Sequence, residues 1–226
     1  MDALSDVFRV VRLTGAVFLT AEFTAPWSVL TRSSPSARAT DLPDANQLIH
    51  YHVITEGNCW LSLDGGEPAF LEAGDLIVFP HGDTHTLSSA TGLEPVPTTS
   101  LLKPKHPDAL HRLVYGGGGD TARMVCGFLT CDARLCKSLL SALPRLLKIA
   151  TREDAIASWI KASLRSTLEA SASQGPGSAI VLAKLAEALF VEAVRRYIGV
   201  TSLCCPRISA AGWRHCRTRT SPARWH

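Results

Sequence analysis

Four of the eight histidines lie between residues 50 and 85. The first group reads His50-Tyr51-His52-Val53-Ile54-Thr55-Glu56-Gly57. In an extended strand, residues two apart point to the same face, so His50, His52, Ile54 and Glu56 are expected on one side. The second group runs from Gly74 through Pro80-His81-Gly82-Asp83-Thr84 to His85. A strand, a Pro/Gly turn and a returning strand would bring His85 beside the first group. Three imidazoles and a carboxylate suit a divalent first-row ion (Zn, Ni, Fe or Mn), with positions left open for water or a small ligand. His50, His52, Glu56 and His85 are therefore the candidate metal ligands. His81, in the turn, is expected to be solvated. Cys126, Cys131 and Cys136 match no common ligand spacing and are expected as separate core thiols.

Holding such residues together requires strands. Residues 1–131 read as β-rich, with short apolar or alternating runs at Arg12–Thr24, Leu48–Ile54, Cys59–Leu63, Ala69–Leu71, Asp75–Phe79, His85–Ser88, Arg112–Tyr115 and Thr121–Leu129. Turn punctuation separates them, as in Asp64-Gly65-Gly66, Ala73-Gly74-Asp75 and Gly116 to Gly119. Short strands at this spacing predict a sandwich or barrel. Thr31–Asn46 and Thr91–Asp108 lack a period and are expected to be irregular. From residue 132 the pattern becomes helical. Leu135, Leu139, Leu140, Leu143, Leu146 and Leu147 recur at helical spacing, then an amphipathic stretch follows a Thr151/Asp154 cap, and a last helix covers Ile180–Ile198. Its inward face is expected to carry Leu182, Leu185, Leu189, Phe190 and Val194. Two amphipathic helices exceed what capping one barrel end requires, so a homodimer seam is expected in this segment, with Leu185 and Leu189 in it if the last helix forms the seam.

The two histidine groups, H-x-H-x3-E-G and G-x5-P-x-G-x2-H, resemble the two signature motifs of the cupin superfamily. The second matches in every spacing; in the first, Asp44 stands where a leading glycine is usual. The opening Val10 to Phe18, Ala25-Pro26-Trp27, Gly57-Asn58-Cys59-Trp60, Gly116 to Gly119 and Leu143-Pro144-Arg145-Leu146-Leu147 resemble the effector-sensing half of AraC-type transcriptional regulators. That resemblance implies a mainly β chain: a cupin β-barrel (jelly roll) at 1–131 that holds a small-molecule effector, then an α-helical dimerisation and linker segment at 132–199. It implies a sensing module rather than an enzyme. The alternative is a metal-dependent cupin enzyme, dioxygenase- or isomerase-like.

Composition narrows the field. The chain has 226 residues, 46% hydrophobic and 19% charged, a globular balance. No apolar run approaches the length of a membrane span, no signal peptide is evident, and seven irregularly spaced cysteines read as reduced thiols; the expected location is the cytoplasm. Residues 1–202 hold 18 Lys and Arg against 20 Asp and Glu, so the body lacks an electrostatic footprint for nucleic acid. The basic excess lies in residues 203–226, with five Arg and no acid. Back-translated with mostly G or C at third positions and read from its third base, that stretch encodes LLPPDFSGRLAALQDPHVARALA. This looks like the linker and opening helix of the AraC-type DNA-binding module. The expectation is a frameshift near residue 200 that removed the helix-turn-helix domain. Residues 200–226 would then form an atypical basic tail, and this chain would bind no specific DNA.

Overall fold

The computed structural model describes residues 3–11, 13–32, 46–64, 66–102, 111–150, 162–163, 166 and 177–204. Its elements in chain order are α1 (Ala3–Val10), β1 (Leu13–Thr24), β2 (Ser28–Thr31), β3 (Asn46–Glu56), β4 (Asn58–Leu63), β5 (Ala69–Glu72), β6 (Asp75–Phe79), β7 (His85–Ser88), β8 (Val96–Pro97), α2 (Thr98–Leu101), β9 (His111–Gly116), β10 (Thr121–Asp132), α3 (Ala133–Leu140), β11 (Leu147–Ala150) and α4 (Ser178–Cys204). The strands form a six-stranded sheet, ordered β11-β6-β3-β10-β1-β9, and a five-stranded sheet, ordered β5-β4-β7-β2-β8.

Alternation along the strands builds two apolar layers. Leu19, Phe23, Ile54, Ile77, Phe79 and Met124 from the larger sheet meet Val29, Leu61, Leu71 and Leu87 from the smaller one and Trp27, just before β2, closing the space between the sheets. The opposite face of the six-stranded sheet, with Ile49, Tyr51, Val53, Val78, Val125 and Leu129, is covered by α3 and α4. The central strand β3 is therefore buried on both faces from Ile49 to Ile54, which explains a sequence there that is rich in apolar and aromatic residues on both sides. Gly57 takes the chain from one sheet to the other between β3 and β4. Its φ is +72°, and a Cβ at that position would collide with the Thr121 carbonyl oxygen, so only glycine fits this corner.

Every strand expected from the sequence is present, and the architecture is the β jelly roll with a C-terminal helix. Four differences have physical reasons. β2 and β8 were not foreseen, because strands of four and two residues carry too little alternation to read. The expected irregular stretch at 91–108 contains β8 and α2, with 103–110 outside the described residues. Leu147 lies on β11, paired with Val78, rather than on a helix. α3 ends at Leu140, and Pro144, which has no N–H to donate, lies beyond its end; an open edge of β6 then recruits the chain that follows. Finally, Cys131 and Cys136 are joined by a disulfide that ties the end of β10 to α3, which corrects the reading of separate, reduced thiols. The amphipathic stretch after Thr151 lies outside the described residues except for Ala162, Ser163 and Ser166, as do residues 33–45 and the basic stretch from 205 onward. α4 itself runs through the expected boundary at residue 199 to Cys204.

The inward face of α4 carries Leu182, Leu185, Leu189, Phe190 and Val194, as the periodicity predicts. That face packs on β1, β10 and β11 of the same chain. Leu185 and Leu189 are buried at 8% and 4% exposure and are not available for a seam with a second copy, a correction to their expected role. Among the described residues, the large apolar side chains that α4 leaves exposed are Ile180 and Val181.

Candidate functional site

His50 and His52 project from β3 into the space between the sheets, beside Ile54, while Ile49, Tyr51 and Val53 turn to the helices. His85 opens β7 on the facing sheet and is 1% exposed. Strand β6 pairs with β3, Phe79 opposite His50 and Ile77 opposite His52. The turn Pro80–Thr84 then delivers His85 across the gap. Gly82 supports that turn with a φ of +66° and an N–H donated to the Phe79 carbonyl at 3.0 Å.

The three rings form one cluster. His52 Nε2 and His85 Nε2 are 2.8 Å apart. The His50 and His85 rings meet edge to face at 6.0 Å between centroids, and Phe79 stacks on His85 at 3.9 Å. His85 Nδ1 donates to the Asp83 carbonyl at 2.9 Å, which orients the ring. His50 Nδ1 is buried and has no hydrogen-bond partner among the described residues. Burial pushes the His50 imidazole down to about 4 and the His85 imidazole to about 4. It holds His52 well below its ordinary value, with His85 and His50 adding repulsion. All three are neutral at pH 7, the form that ligates metals.

Glu56 does not join them. Between Met124 and Arg123 the ladder advances one residue on β10 and two on β3, from Ile54 to Glu56. This extra residue, Thr55, breaks the two-residue alternation that places His50, His52 and Ile54 inside. Glu56 is exposed and pairs with Arg123, which also reaches Glu22 at 3.1 Å. The expected four-ligand set is thus divided: three imidazoles within, the carboxylate at the surface. His81 lies exposed in the turn, as expected. Its Nε2 donates to the Leu143 carbonyl at 3.2 Å, and Arg145 pairs with Asp83 two residues on in the same turn at 2.8 Å.

One core thiol expected from the sequence stands at the site itself, a place the sequence reading did not give it. Cys126 is the cross-strand partner of His52, and its sulfur lies 2.8 Å from His52 Nδ1. Burial pushes its thiol up, so it is protonated at pH 7. The signal that places it there is the β3–β10 register, which no local motif encodes. Among the described residues, no three His, Cys, Asp or Glu side chains stand together at ligating distance. Two facing imidazole nitrogens and a third buried imidazole are the nitrogen donors that the interior presents.

The family model for Cupin matches residues 2–199. The chain belongs to the cupin family. This is the family that the two histidine groups resemble, and the jelly roll with its buried histidines agrees with it. Among curated proteins, the cupin is similar to an uncharacterized HTH-type transcriptional regulator of Haemophilus influenzae, 25% identical over 143 residues. The match covers 62% of this chain and 43% of that protein, so the chain spans less than half the length of its curated relative. Among solved structures it is similar to the AraC-like transcriptional activator CuxR, with a TM-score of 0.30 and 10% identity over 72% of this chain and 54% of that one.

Proposed function

We propose that this cupin is the ligand-sensing and dimerisation domain of an AraC-type transcriptional regulator. In this reading it performs no chemistry of its own and works in the cytoplasm. Its relative in Haemophilus influenzae bears the name of a helix-turn-helix regulator, and among the described residues no helix is long and apolar enough to cross a membrane. The observation that carries the sensing role is the interior cluster of neutral His50, His52 and His85, with one nitrogen lacking any partner among the described residues. A folded barrel tolerates an orphaned buried polar atom where a ligand completes it. The three imidazoles would hold a divalent ion, which supplies a positive charge and open positions for a small effector. Glu56 takes no part. A dimer would use the side chains that α4 exposes, Ile180 and Val181, rather than Leu185 and Leu189.

Metal analysis of protein purified without a metal-affinity resin, followed by Zn(II), Ni(II), Fe(II) and Mn(II) titration after chelation, tests the site. One ion per chain, lost in His52→Ala and His85→Ala, is expected. No binding of any of the four would refute the metal. Oxygen uptake with flavonols or thiols would show an enzyme instead.

A further inference from the structure

The segment that leads from α3 into β11 is fastened to the turn that carries His85. Arg145 reaches Asp83 Oδ1 from Nε at 2.9 Å and from Nη2 at 2.8 Å, and its Nη1 donates to the Asp64 carbonyl at 3.3 Å. His81 Nε2 donates to the Leu143 carbonyl at 3.2 Å. Two ties thus join residues 81 and 83 to residues 143 and 145, each across 62 positions of chain. Asp83 Oδ2 is buried and without a partner among the described residues, so this carboxylate relies on Arg145 for its countercharge. The Asp83 carbonyl also takes the His85 Nδ1 hydrogen. One turn residue therefore holds Arg145 through its side chain and the imidazole through its backbone.

Beyond Arg145 the chain enters the outermost strand of the six-stranded sheet. β11 is four residues long and has β6 as its one neighbour in the sheet. Lys148 and Ala150 on it are exposed. A short edge strand with half its side chains in water is the kind of element that opens locally while the core stays folded. Its entry straddles both apolar layers: Leu146 packs into the layer between the sheets, and Leu147 into the layer beneath the helices. α4 rests on β11. We propose that residues 143–150 form a releasable strap with Arg145 as its latch, so that the turn at 80–84 and the strand β11 open and close together. A group that enters between the sheets and shifts His85 would then be felt beneath α4. This deepens the sensing reading and rests on it for its purpose, while the coupling itself belongs to the chain without any ligand. Coupling of this kind is reciprocal: loosening either end must loosen the other.

Hydrogen–deuterium exchange of the full 226-residue chain, with chelator and no ligand, reads both ends at once. The reporters are the β11 amides and the Gly82 N–H, which donates to the Phe79 carbonyl at 3.0 Å. Arg145→Ala should speed exchange at both reporters by roughly 3-fold or more, the scale of a partly exposed charged pair and its hydrogen bonds. His81→Ala alters the turn alone and should speed β11 as well. Arg145→Lys, a single point charge in place of the fork, should recover part of the loss. The central strands β3 and β10 should keep wild-type rates in every variant, which separates release of the strap from general loss of stability. Three results would each overturn the proposal: β11 rates unchanged in both alanine variants, faster exchange at one reporter without the other, or equal acceleration in β3 and β10. Any of them would remove the strap and leave the sensing reading, which rests on the interior imidazoles; oxygen uptake by the chain would remove that reading without altering the exchange rates.

Discussion

Acidifying the chelated protein from about pH 7.5 to about pH 5 crosses the ordinary histidine value, at which these residues take up protons only when the chain unfolds, while most carboxylates stay ionised. His50 and His85 have their folded-state values lowered to about 4 from 6.5 by burial. A base whose folded pKa is depressed is neutral in both states above 6.5, so neither residue weakens the fold there. Below 6.5 the unfolded chain takes up protons that the folded chain refuses, and stability falls until the folded values near 4 are reached. At pH 5 the gap is about 1.5 units below the ordinary value, or about 2 kcal/mol per residue at 1.36 kcal/mol per unit. Two such residues remove about 4 kcal/mol, and His52 acts in the same direction. That is a large part of the roughly 5–15 kcal/mol that holds a domain. Urea unfolding followed by tryptophan fluorescence, with Trp27 buried between the sheets as reporter, measures it. His50→Leu removes one titrating group and its unpartnered nitrogen, so its loss between the two pH values should shrink by about 2 kcal/mol. Equal wild-type stability at both pH values, or a His50→Leu variant as acid-sensitive as wild type, would refute the buried, neutral state of these rings.

Three further outcomes are expected. Leu189→Ala, in the layer between α4 and the sheet, should cost about 2–5 kcal/mol in urea unfolding, whereas Ile180→Ser at an exposed site should stay within about 0.5 kcal/mol and weaken any dimer seen by light scattering. Glu56→Gln should leave Zn(II) affinity unchanged and alter stability little, because the Arg123 pair is an exposed, solvent-screened one; loss of the ion in that variant would place Glu56 back inside. Cys131→Ser, or reduction of the disulfide, should lower stability by about 2 kcal/mol, the loop-closure value for so short a loop, and alkylation mass mapping identifies the pair.

The strands and the histidine cluster were legible because their cause is local. A run such as Leu48–Ile54 sets its own faces by two-residue alternation, and the Gly74–His85 turn carries its glycines, its proline and its histidine within twelve consecutive positions. The inward stripe of α4 is written in the same way, by helical spacing. What the sequence left undetermined is decided between segments far apart in the chain. Glu56 leaves the interior because Thr55 has no partner on β10, a mismatch of two strands 67 residues apart at Arg123. Cys126 enters the site because that same ladder aligns it with His52, 74 residues away. Leu147 joins a sheet rather than a helix because β6 offers an open edge. Leu185 and Leu189 read as a seam because periodicity shows that a face is apolar and not what covers it; here the sheet of the same chain does. Local pattern fixes which way a side chain points within its own element, and register between distant strands decides what it meets.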